Sequence, residues 1–84
     1  MKFEGALIRE QGITFGVAIV EQHQLRSTDR DKVVLQFSRI FRAPTVLMAQ
    51  DNRGIPQYYG RKDIVNFLAN VPLAAIPWRE YNVS

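Results

Sequence analysis

The sequence predicts an α+β domain, with one mixed or antiparallel sheet, two helices packed on one face and the element order β-β-α-β-β-α. Three observations carry this. Two early runs alternate between apolar and other residues on either side of Gln11-Gly12, the period of strands joined by a short turn. Two later stretches repeat apolar residues every three to four positions and are each closed by a proline, Pro44 and Pro72, the pattern of amphipathic helices stopped by a residue that cannot continue them. Between these helices Asp51-Asn52-Arg53-Gly54 separates two short apolar runs, a turn composition that points to a hairpin.

The first strand spans residues 3–10, with Glu4, Arg9 and Glu10 making it the more polar of the pair and suiting it to an edge. The second spans residues 13–21. Ile13, Phe15, Val17 and Ile19 form one of its faces, while Ala18 and Val20 make the other apolar near its end. A strand apolar on both sides belongs inside a sheet. Residues 22–26 read as a polar connection. Ser27 or Thr28 then caps a helix whose first turn holds Asp29 and Asp31, where negative charge complements the dipole. Val33, Val34, Phe37, Ile40 and Phe41 form its buried stripe, and Pro44 forces Ala43 out of helical geometry.

An apolar strand follows over residues 45–50. The returning strand, over residues 55–59, contains Pro56, which has no amide donor and therefore suits an edge or a bulge. Gly60 ends it, and residues 61–71 form a helix with Ile64, Leu68 and Val71 on one face. The tail after Pro72 is extended and anchored by Trp78.

Eighty-four residues make a single domain, 1–84, since a second core would not fit in that length. There is no cysteine, which excludes disulfides, thiolate chemistry and thiolate zinc sites. No segment has the pattern of a signal peptide or the roughly 20 apolar residues of a membrane span. The resulting expectation is a cytoplasmic protein with no membrane partner. Residues 26–62 hold eight cations against three carboxylates, whereas the segments on either side each carry a net −1, so the whole excess of +3 is central. That imbalance would favour an acidic partner.

Catalytic patterns are missing. His23, the one histidine, stands near Glu21 without any Gly-x-Ser-x-Gly element to present a nucleophile. No spacing for a metal site occurs, and Asp51 and Asp63 are explained by their turn and helix-start positions. The chain is expected not to be an enzyme and to need no cofactor. Tyr59-Gly60-Arg61-Lys62 places a glycine and two cations at a helix start without the glycine-lysine pattern of a phosphate loop. Tyr58 and Tyr59 face opposite sides of a strand, so one is expected to be exposed.

The segment Ala43-Pro44-Thr45-Val46-Leu47-Met48, followed by Asn52-Arg53-Gly54, Tyr59-Gly60-Arg61 and the helix from Ile64 to Leu68, resembles the closing β-β-α unit of a thioredoxin-like domain. The preceding strand and helix extend the resemblance over residues 13–71, while a β-hairpin replaces that family's first strand and redox helix. The resemblance implies that Pro44 matches the proline that is cis in the family and lies against its peptide substrate. Without cysteine the redox role does not transfer. The functional expectation is a small non-catalytic module binding protein or peptide, or another copy of itself. Nucleic acid or a phosphate ligand on segment 26–62 is the alternative. The candidate surface comprises Arg39, Arg42, Pro44, Arg53, Tyr58, Tyr59, Arg61 and Lys62.

Overall fold

Alternation along each strand decides where it sits. The computed structural model describes residues 1–10 and 12–83. Its sheet is built from β1 (Lys2–Glu10), β2 (Ile13–Ile19), β3 (Thr45–Gln50), β4 (Pro56–Tyr59) and β5 (Arg79–Asn82), in the order β4-β3-β2-β1-β5. The helices are α1 (Gln22–Leu25), α2 (Arg30–Phe41) and α3 (Lys62–Leu68), and a 3-10 turn follows over Leu73–Ala75. β2 runs parallel to β3, and every other pairing is antiparallel, so the sheet is mixed. The α+β class and the β-β-α-β-β-α order agree with the sequence, with α1 as a short addition where a polar connection is expected.

The helices, expected together, divide between the two faces. Phe15, Val17, Val46 and Met48 pack under Ile64 and Leu68 of α3. Ala18, Leu47 and Ala49 pack under Phe37 of α2 and Leu25 of α1. The physical reason lies in β2 and β3, which are apolar on both sides. A cover on one face alone would leave Phe15, Val17, Val46 and Met48 in water. Gly60 lets the chain reach the second face: a Cβ there would lie 2.7 Å from Val46 Cγ1, and its φ is 151°. A side chain at this position would block the crossing.

On the α2 face the approach is closer still. A Cβ on Gly16 would meet Phe41 Cδ2 at 2.5 Å, so the glycine is what admits the ring onto the sheet. Phe41 also contacts Phe3 and Tyr81 edge-on, with centroids 5.7 and 5.1 Å apart, and Tyr81 stacks on Phe3 at 5.3 Å.

Several local expectations change. β1 is an edge strand only beyond Gly5, because the tail returns as β5 and pairs with it from Lys2↔Asn82 to Gly5↔Arg79. Asp29, rather than Ser27 or Thr28, stands at the start of α2. The Ser27 hydroxyl accepts the Asp29 N–H at 3.1 Å in a turn just outside the helix. α3 ends at Leu68 and not at Val71. Gly12 adopts φ 78°, as its turn requires, while Gln11 lies outside the described residues. Trp78 does anchor the tail, its indole N–H donating to the Leu73 carbonyl at 3.0 Å.

Candidate interaction surface

The expected cationic surface is only partly assembled. Arg39 and Arg42 lie in and just after the last turn of α2, and Arg61 and Lys62 open α3. The Leu47↔Tyr59 register and the contact of Gly60 with Val46 bring all four to the end of the sheet where β3 begins, around exposed Pro44. They straddle the sheet, since α2 and α3 lie on opposite faces. Arg53 sits apart, in the turn at the far end of β4, where its guanidinium is 3.6 Å from Asp51. Arg61 is engaged with Asp63 at 2.8 Å, and that contact holds the Asp63 carboxyl below its usual range. Arg42 has φ 55° and closes α2, with the Ala43 N–H donating to the Ser38 carbonyl at 3.2 Å.

The Ala43–Pro44 bond is trans, which corrects the geometry implied by the thioredoxin-like resemblance. The Pro44 carbonyl accepts the Gly16 N–H at 2.8 Å, so the proline already belongs to the parallel seam.

The two tyrosines do face opposite sides, and neither is a free stacking platform. The Tyr59 hydroxyl donates to Asp31 at 2.6 Å beneath the Arg30 guanidinium, 4.0 Å from the ring centroid. The Asp31 bond is the main cause of its raised pKa. The Tyr58 hydroxyl is sealed from solvent with no partner, and burial raises its pKa. His23 lies 3.5 Å from Glu21 in an exposed pair. Among the described residues no cluster of metal-ligating side chains occurs, and no helix is long and apolar enough to cross a membrane.

A depression of about 540 Å³ opens where β2 and β3 end, among Lys2, Glu4, Glu21 and Glu80. A different surface is better built, and it involves residues that composition did not single out. The β1–β5 pairing stops at Gly5↔Arg79. Two residues on, Pro77 would face Leu7, and proline has no N–H to offer. The Trp78 N–H turns back to the Ile76 carbonyl at 2.8 Å, and the chain leaves the sheet.

Backbone parity then fixes which groups of β1 are free. Met1 and Val83 exchange both hydrogen bonds, at 3.0 and 2.8 Å, so the odd residues of β1 point their main-chain groups towards β5. Gly16 and Val20 donate towards β3, which leaves the odd residues of β2 facing the even residues of β1. Leu7 and Arg9 therefore present N–H and C=O outward, beyond the reach of β5.

Beside this open edge lies a groove of about 330 Å³, walled by Ile8 and by Phe67, Val71, Ala75 and Ile76. A smaller hollow of about 120 Å³ continues past Glu10 and Phe67 to Ile13 and Phe15. Leu7 and Ile13 are 41% and 39% exposed, large apolar side chains left in water at either side of the same hairpin. The sequence signal that could have located this edge was Pro77, read as the stop of a tail strand. Compared with known proteins, the chain matches no family model, no curated protein and no solved structure, so its function rests on its own geometry.

Proposed function

We propose that this chain is a small cytoplasmic, non-catalytic binding module that takes up an extended peptide segment along the outer half of β1. The observation that carries the proposal is the unpaired run of β1 beyond Gly5, where Leu7 and Arg9 aim main-chain donors and acceptors outward beside an apolar groove. An added strand gains affinity from those main-chain bonds and selectivity from alternate side chains entering the groove. The thioredoxin-like resemblance is compatible with this reading as a peptide-facing domain without redox chemistry.

The test is Arg9→Pro. The Arg9 N–H points away from β2, so the substitution removes an outward donor and leaves the β1–β2 ladder intact. Peptides selected from a random display library on the native protein should lose binding to this variant while its thermal unfolding stays cooperative. Undiminished binding to a folded Arg9→Pro protein would refute the site.

A second reading is favoured by the gathering of Arg39, Arg42, Arg61 and Lys62 at one end of the sheet. Nucleic acid or another phosphate polymer bound there would produce salt-sensitive amide shifts around Pro44 on titration with short oligonucleotides. Shifts absent at low salt would remove it.

A further inference from the structure

Resting on the peptide-binding reading, we propose that the segment received by β1 carries an acidic residue opposite Arg9, followed directly by a large apolar residue opposite Ile8. The direction follows from the sheet. A segment antiparallel to β1, as β2 and β5 are, meets Glu10 first, then Arg9, Ile8 and Leu7, and stops against Pro77. In that orientation the residues opposite Arg9 and Leu7 form the hydrogen-bonded pairs, because those two positions hold the outward groups.

Charge complementarity sets the first preference. Arg9 stands at the rim of the groove, and strand alternation from Ile8, which packs with the α3 face, turns the Arg9 side chain towards the α2 face, with Thr14 as its cross-strand neighbour on β2. Among the described residues its guanidinium has no ion-pair or hydrogen-bond partner. A carboxylate directly across the added strand would supply one. One position earlier, an acid would instead face Glu10 at the mouth of the groove, so the filter distinguishes neighbouring positions. The apolar preference comes from the groove itself, where the residue opposite Ile8 descends between Phe67, Val71 and Ile76. The next residue covers exposed Leu7.

A second copy of the chain fits this edge poorly. Two-fold pairing centred on Arg9 sets that arginine against itself, a like-charge pair directly opposed. Pairing centred on Ile8 drives the partner's hairpin to the level of Ala6, where Pro77 and Trp78 stand. The edge therefore suits a foreign segment.

The experiment pans a random heptapeptide display library on the native protein, on Arg9→Glu and on Arg9→Gln, and maps the enriched peptides by amide shifts. The expected pool on the native protein holds Asp or Glu directly before Leu, Ile, Val or Phe. Changing that acid to lysine should weaken binding about 3- to 10-fold, an effect that shrinks with salt. Arg9→Glu should exchange the acid for Lys or Arg and keep the apolar position, and Arg9→Gln should lose the charge preference alone. Peptides that shift Leu7 and Arg9 without any acidic preference would overturn this inference and leave the peptide site standing. An empty selection, or shifts confined to other surfaces, would overturn both.

Discussion

Tyr58 carries a hydroxyl that is shut off from water and bonded to nothing, while its ring packs against the α3 face. An unpaired buried hydroxyl costs free energy that the ring alone would not. Tyr58→Phe should therefore leave stability unchanged or raise it by up to about 1 kcal/mol, read from the urea midpoint at constant slope. Its pKa is raised by burial, and that of Tyr59 by the bond to Asp31. A phenol whose folded pKa lies above its unfolded value keeps its full contribution below the ordinary value of 10.0 and loses it as pH rises through the folded value. Stability should thus fall above about pH 10, and the fall should be shallower in Tyr58→Phe and Tyr59→Phe than in the native protein. The opposite orientation of these side chains was legible from strand alternation. The partner of the Tyr59 hydroxyl was not, because Asp31 is 28 residues from Tyr59 and belongs to another element.

At the scale of elements, the contact between α2 and the sheet is held by an absence of side chain. A methyl on Gly16 would lie 2.5 Å from Phe41 Cδ2 and 2.8 Å from Thr45 Oγ1, so the ring must move if the glycine is replaced. Gly16→Ala should cost about 2–3 kcal/mol, typical of overpacking, and the double variant with Phe41→Leu should recover part of that loss. Coincident effects in a double-mutant cycle would check the contact directly, since independent sites would simply add. The stripe of α2, the Asp51 turn and the edge position of Pro56 could all be read from residue spacing, because each reflects local chemistry. The assignment of α3 to the second face could not, since it depends on Gly60 and Val46 meeting across a strand pair. The free half of β1 was hidden for a similar reason: it exists only because a strand more than 70 residues along the chain stops at Arg79.

For the whole molecule, β5 is the piece that decides how much edge is open. It covers Phe3 and Phe41 with Tyr81 and caps β1 as far as Gly5. A chain ended at Pro77 should lose about 2–4 kcal/mol through those aromatic contacts and present the full length of β1. Size-exclusion chromatography over a range of concentrations should then show more association than in the full-length chain, because a long unpaired apolar edge pairs readily. A shortened chain that stayed monomeric at high concentration would mean that Arg9 and Glu10 guard the edge unaided.

The parallel seam between β2 and β3 has a kinetic consequence. The pairs Gly16↔Thr45 and Ile19↔Met48 join residues 29 apart, whereas each hairpin pairs near neighbours. The β1–β2 and β3–β4 hairpins can form early and separately, but the seam must await closure of the long loop through α2. Val17→Ala and Val46→Ala should therefore slow refolding in stopped-flow chevrons, while Tyr81→Ala should act mainly on the unfolding arm. The rate at which this protein becomes native is then set at the line where two ready-made hairpins are zipped side by side.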